Sequence, residues 1–251
     1  MSALTQQVQS HVLRLHIRLL ACRERLATGN DKQALHDLRV AVRQLRNLLR
    51  PLPAYSDAQW LKQAAAQLGR ATGPVRDLEV LQAFLGKQGA GAAAQARESA
   101  LQQGYQTLLR EPPLTELLRA LDAWPQHWRS AVLVGELRGM SRQVHKRLLK
   151  DQQRLHSALA DPEHDWHDLR LLVKRLRYGL DAYPQQGASL LSYAPLKAAQ
   201  TALGKWHDCW QWLQRAHTDS DLQPWVVQWQ AALSRREQRV EQALAALRES
   251  F

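Results

Sequence analysis

"HDLRVAVRQLR" spans residues 36–46, and "HDLRLLVKRLR" spans residues 167–177, 131 residues further on. Seven of the eleven positions (H, D, L, R, V, L and R) are identical, and Arg43 is answered by Lys174, which keeps the charge. A helical phrase turns by about 100° per residue. Leu35, Leu38, Val42, Leu45 and Leu49 then share one arc, while His36, Arg39, Arg43, Arg46 and Arg50 share the neighbouring arc of roughly 80°. In the second copy Trp166, Leu169, Val173, Leu176 and Leu180 run beside His167, Arg170, Lys174 and Arg177. The pattern predicts two amphipathic helices, each with its apolar stripe buried and its cations stacked along the border of the core.

Outward from these phrases, apolar residues recur at three- and four-residue spacing in almost every window, and no alternating strand is present. The fold class is all-α. Breakers stand at "TGND" (28–31), "PLP" (51–53), "TGP" (72–74), "GKQGAG" (86–91), "EPP" (111–113), "DP" (161–162), "YPQQGA" (183–188) and "DLQP" (221–224), which divides the chain into about eight to ten helices. Asn30 or Asp31 is positioned to cap the helix carrying His36, and Asp161 with Pro162 to start the helix carrying His167. A second pair of phrases, "ATGPVRD" (71–77) and "ALGKWHD" (202–208), keeps the 131-residue offset. Two phrases holding one spacing indicate an internal duplication, and its period is too long for a solenoid of short repeats. The expected architecture is two lobes, each roughly a four-helix bundle. They occupy residues 1–130 and 131–251 and join near 122–135, where Pro125 interrupts.

In 251 residues, 34 Lys and Arg stand against 23 Asp and Glu, a formal charge of +11. Such a surplus points to a polyanionic partner: nucleic acid, an anionic membrane surface or a phosphate polymer. Two isolated cysteines, Cys22 and Cys209, give no disulfide framework and suit a reducing compartment. No uncharged apolar run reaches signal-peptide or bilayer-spanning length, so a cytoplasmic protein without a membrane is expected.

Like charges at i,i+4 repel by a few tenths of a kcal/mol per pair. A multivalent anion offsets that repulsion, and two facing stripes make a two-walled positive groove that focuses the field. Arginine suits the task because its planar fork meets phosphate oxygens bidentately. In "GPVRD" and "GKWHD" a break precedes a basic residue, which predicts a helix N-terminus as an anion site. Arg76 and His207 are candidate contacts there, with Arg70, Lys197 and Lys205 nearby. Asp77 and Asp208 are expected to cap helices or to orient an arginine.

The doubled "H-x-x-R-x-x-x-[RK]-x-x-R", each copy followed by "G-x-x-[RH]-D", resembles the CHAD family, the conserved histidine α-helical domain, over nearly the whole chain. The resemblance implies two pseudo-symmetric four-helix bundles with basic residues lining a central cavity that binds inorganic polyphosphate. For some members it also implies association with polyphosphate granules. On the matched positions the ligand falls to His36, Arg39, Arg43, Arg46, Arg76, His167, Arg170, Lys174, Arg177 and His207. Arg70 matches the basic position before the glycine, and Lys197 the lysine of the preceding helix. Two departures are His207, where the family often has Asn, and Thr72, where Leu is usual. The E-x-E-x-K strand of the triphosphatase domain often fused to such chains does not occur, so that activity is expected to be missing.

Two rival readings use the same residues. His36, His164, His167 and His207 stand beside Asp37, Asp165, Asp168 and Asp208, as in a metal-dependent phosphohydrolase. Surrounding arginines disfavour a further cation, so no metal and no cofactor is expected. Nucleic acid shares a charged backbone with polyphosphate, and nine tryptophans offer stacking platforms. Trp166 falls on an apolar stripe, however, and Trp206, Trp210, Trp225 and Trp229 recur at helical spacing, which reads as core. Nucleic acid is the secondary partner. Neither cysteine has an activating neighbour, and the chain reads as a binding protein rather than an enzyme.

Overall fold

The computed structural model describes residues 2–29, 31–52, 56–188 and 192–251. They form α1 (Ala3–Thr28), α2 (Ala34–Leu49), α3 (Ser56–Lys87), α4 (Gly91–Gln95), α5 (Glu98–Arg110), α6 (Pro112–Leu133), α7 (Met140–Ala160), α8 (Trp166–Ala182), α9 (Pro184–Gly187), α10 (Tyr193–Ala216), a 3-10 turn (Ser220–Trp225) and α11 (Val226–Glu249). No strand occurs among the described residues, and none of their helices is long and apolar enough to cross a membrane. Without α4 and α9, of five and four residues and too short to carry a period of their own, the described α-helices number nine, within the expected range.

The chain divides into two compact units, Met1–Gln143 and Val144–Phe251. The sequence-based join at 130–131 lies within α6, which runs unbroken through Pro125. In the first unit α1, α2, α3 and α6 close a ring, each packed on two of the others, and α5 lies against α1 and α3. Trp124 and Trp128 stack in its core at 4.9 Å, and the Trp128 indole N–H donates to the Thr5 carbonyl at 3.2 Å. In the second unit Leu155 and Leu159 of α7, Leu169, Val173 and Leu176 of α8, Leu196, Leu203 and Trp206 of α10, and Val240 and Leu247 of α11 share one core.

Both repeated phrases are helical, with the expected burial. Leu35, Leu38, Val42, Leu45 and Leu49 are buried along α2, and Leu169, Val173, Leu176 and Leu180 along α8. The starts of these helices differ in detail from expectation. Asp165, not Asp161, caps α8, its carboxylate accepting from the His167 N–H at 3.1 Å. Asp161 instead accepts from Glu163 N–H in the preceding turn. Asp31 accepts from Gln33 N–H at 2.8 Å ahead of α2, while the cap assigned to Asn30 lies outside the described residues.

"TGP" does not stop a helix. The 32 residues of α3 pass through Gly69, Gly73 and Pro74, and the 24 residues of α10 pass through Gly204. An interior proline costs about 3 kcal/mol. Leu61 and Leu68 before the break and Leu81 and Leu85 after it are all buried, at about 1.5–3 kcal/mol each. Keeping both flanks on one face outweighs the proline. Arg76 and His207 are therefore mid-helix residues, and neither sits at a helix N-terminus.

Candidate anion-binding site

In the first unit, α2 and α3 bring the predicted cations together. Arg39 reaches across to α3, where its Nη1 donates to Thr72 Oγ1 at 2.8 Å and more weakly to the Gly69 carbonyl at 3.4 Å. Thr72 is fully buried, and its hydroxyl donates in turn to the Leu68 carbonyl at 2.9 Å. The departure from the usual leucine thus supplies an anchor for Arg39. Arg46, two turns further along the same stripe, lies over Gly69. A Cβ there would stand 2.9 Å from its Nη1. Arg43, Arg46 and Arg70 are exposed, Arg46 with its guanidinium lodged against α3.

Arg76 is held by Glu79, one turn on, and Glu79 also accepts from the Tyr105 hydroxyl of α5 at 2.8 Å. Glu79 is an acid buried to 7 % exposure beside the cations, and it holds Arg76 in an ion pair. Asp37 belongs to a different structure. It pairs with Arg25 at 2.8 Å and Arg18 at 3.6 Å, and so ties α2 to α1.

The electrostatics record crowding. Burial holds the His36 imidazole below its usual range, and Arg76 adds to the shift. Burial lowers Arg39; Asp77 opposes that shift, while Arg43 and Arg76 reinforce it. Burial and then Arg70 lower Arg46. Asp77 therefore acts on an arginine, and it caps no helix because α3 is continuous through it.

In the second unit His167 is boxed by aromatic rings, with centroids at 4.5 Å from Trp210, 4.8 Å from Trp206 and 5.0 Å from His207. The two Nδ1 atoms of His167 and His207 are 3.1 Å apart. One of them must donate and the other accept, so the neutral pair holds a single proton between its facing nitrogens. Burial, followed by Arg170, His167 and Lys174, pushes the His207 pKa down to about 4. Arg177 is tied into a network: Nε donates to the Gln200 side chain, and Nη1 to Asp181 at 3.0 Å and the Tyr193 hydroxyl at 2.6 Å. Burial opposes its charge, but Tyr178 and Asp181 outweigh that and the net shift is upward.

Two contacts recur at the 131-residue offset. Arg46 on Gly69 corresponds to Arg177 on Gln200, and His36 beside Arg76 corresponds to His167 beside His207. Thr72 corresponds to Leu203 and Glu79 to Trp210. Both units brace an arginine with polar partners, Arg39 on Thr72 and Arg177 on Gln200 and Asp181, and the second unit adds rings and a histidine pair around His167. Glu79, Tyr105 and Gln200 were missed by sequence reasoning, and Trp210 reads there as core. An acid three residues beyond Arg76 was the one available signal, since i and i+3 are helical neighbours. Trp206 and Trp229 are core residues as expected, whereas half-buried Trp210 lines the site.

Lys197 and Lys205 do not join this group. Lys205 stands two positions before His207, which places them about 160° apart around α10. Both lysines line a groove toward α11 instead. His164 stands near Asp161, with Nδ1 3.9 Å from its carboxylate. Nowhere among the described residues do three His, Cys, Asp or Glu side chains converge as a metal site.

The sequence matches the family described as CHAD domain over residues 11–217. The fold is similar to the crystal structure of the CHAD domain from the plant Ricinus communis. The TM-score is 0.71 and the identity 24%, with 100% of this chain and 94% of that chain covered. It is also similar to PptA from Streptomyces chartreusis, with a TM-score of 0.61 and 16% identity over 95% of this chain and 98% of that chain. No curated protein matches the sequence.

Proposed function

The chain belongs to the CHAD domain family, and from that premise we propose that it binds inorganic polyphosphate without turning it over. Each unit contributes one stripe: His36, Arg39, Arg43, Arg46, Arg70 and Arg76 in the first, His167, Arg170, Lys174, Arg177 and His207 in the second. The observation that carries the reading is that burial and neighbouring cations press against the charged forms of Arg39, Arg46, His36 and His207. Such crowding destabilises the free protein and is relieved by an anion with many closely spaced charges. A repeating phosphate has that form, and guanidinium forks match its oxygens.

Binding without turnover is supported by the lack of an activated nucleophile in the stripes. Burial raises the pKa of both Cys22 and Cys209, so each remains a thiol. The localisation that follows is cytoplasmic, at polyphosphate granules where a cell makes them. Long-chain polyphosphate, single-stranded RNA and duplex DNA titrated at one salt concentration test the ligand. Polyphosphate is expected to bind tightest; RNA binding equally well overturns the assignment in favour of a nucleic-acid protein. Polyphosphate length is expected to stay unchanged on incubation with and without divalent metal. Steady orthophosphate release by phosphatase-free protein would show an enzyme instead.

A further inference from the structure

The groove between α10 and α11 has a composition of its own. Ala194, Ala198, Ala202 and Thr201 line it together with Lys197, Lys205, Arg236 and Arg239, around a volume of about 490 Å³ whose small-residue surface along α10 serves as its floor. No acid lines it, and none of the four cations has a carboxylate partner among the described residues. Arg236 is already positioned: its Nη1 donates to the Lys205 carbonyl at 2.7 Å, and its guanidinium carbon lies 5.9 Å from the Trp212 ring. The Thr201 hydroxyl donates to the Lys197 carbonyl at 2.9 Å, which leaves its oxygen as an acceptor at the floor.

Two properties define what fits. Four cations without acids call for a ligand with several negative charges close together. An alanine floor calls for a flat apolar body, since methyl groups allow close approach and offer no hydrogen bonds. Plain polyphosphate satisfies the first condition and leaves the floor uncovered. The volume lies within the range of small-molecule sites. We propose that this groove is a second ligand site, separate from the two stripes, and that it takes a nucleoside triphosphate. The base lies on Ala198 and Ala202 under an arginine plane, as guanidinium groups stack on aromatic rings. The phosphates meet Lys197, Lys205 and the remaining arginine. This assignment does not depend on polyphosphate being the ligand of the stripes.

The test is calorimetric titration of the full chain with ATP, tripolyphosphate and adenosine at one salt concentration. ATP is expected to bind at one site roughly tenfold more tightly than tripolyphosphate, the difference being the stacked base, with adenosine weaker than both. Lys205→Ala and Arg239→Ala change exposed residues; each is expected to weaken ATP several-fold with an unchanged circular dichroism melt. Ala202→Leu fills the floor and is expected to bring ATP down to the level of tripolyphosphate. The Arg39→Ala, Arg43→Ala double variant is expected to weaken polyphosphate and leave ATP at its wild-type affinity. Equal binding of ATP and tripolyphosphate by a variant carrying Arg39→Ala, Arg43→Ala, Arg170→Ala and Lys174→Ala, whose stripes no longer take tripolyphosphate, overturns the proposal, because the groove then reads charge alone. Loss of ATP binding in the stripe variant rather than in Lys205→Ala also overturns it, as does no ATP binding at millimolar concentration. Failure of long-chain polyphosphate to bind, with the ATP results intact, refutes only the function proposed for the stripes.

Discussion

Gly69 leaves the surface of α3 open where the Arg46 guanidinium rests, and this contact separates stability from binding. Alanine inside a helix is favoured over glycine by roughly 0.5–1 kcal/mol. Its Cβ would meet Arg46 Nη1 at 2.9 Å, the far end of a flexible side chain that can swing away. Gly69→Ala is therefore expected to hold or raise the melting temperature while weakening polyphosphate binding a few-fold, read by thermal melt and titration on one preparation. Lower stability with unchanged affinity would refute the role given to this contact. His207 gives the pH dependence. Its folded pKa, pushed down to about 4, lies below the ordinary histidine value near 6.5. Above pH 6.5 the ring is neutral in both folded and unfolded chains. As pH falls toward 4 the unfolded chain takes the proton first, so stability is lost over that window, by about 2–3 kcal/mol at most for a half-buried ring. Bound phosphates reverse the cause by favouring the imidazolium. Polyphosphate binding is expected to tighten as pH falls from 7.5 to 5.5, with proton uptake. His207→Arg, which copies the permanent cation at Arg76, is expected to flatten that profile; an unaltered slope in the variant would remove the histidine pair from the site.

Among the elements, α8 shows how a start is chosen. Asp161 with Pro162 has the composition of a helix start, yet the helix begins after Asp165. Trp166 and Leu169 belong to the second unit's core, and placing the cap directly before them lets the first turn bury at once. Asp165→Ala is expected to cost about 1 kcal/mol through the lost cap, and Asp161→Ala less, as seen in chemical denaturation. Equal costs would mean that the helix starts earlier than Trp166. The continuity of α3 and α10 follows the same rule from the opposite side. Gly73, Pro74 and Gly204 carry the local signal to stop, and the apolar residues flanking them share one buried face, which a break would divide. Local preference is worth a few kcal/mol and long-range burial more.

For the whole molecule, the test is whether each repeated helix contributes. Arg39→Ala with Arg43→Ala is expected to weaken polyphosphate binding about as much as Arg170→Ala with Lys174→Ala, and a silent pair in either unit would confine the site to the other. If about six to eight cations each neutralise a phosphate, the log–log salt slope is roughly −4 to −6, using the single-strand coefficient. Arg46→Ala should make it shallower by somewhat under one unit, whereas Lys87→Ala, off the stripes, should barely change it. Matching slopes for these two variants would reduce the protein to a generally basic surface. The stripes were legible because a period of 3.6 residues and an offset of 131 are properties of order along the chain. So were the all-α class, the buried leucines of α2 and α8, and the correspondence of Arg39 with Arg170 in the repeated phrase. Tertiary structure decided the rest. Glu79 bracing Arg76, Thr72 anchoring Arg39, Gln200 receiving Arg177 and the turning of Lys205 toward α11 all depend on which helix lies opposite. A sequence fixes the angle of a side chain about its own helix axis, but the neighbour that side chain meets is set by how helices pack, through burial summed over residues far apart in the chain.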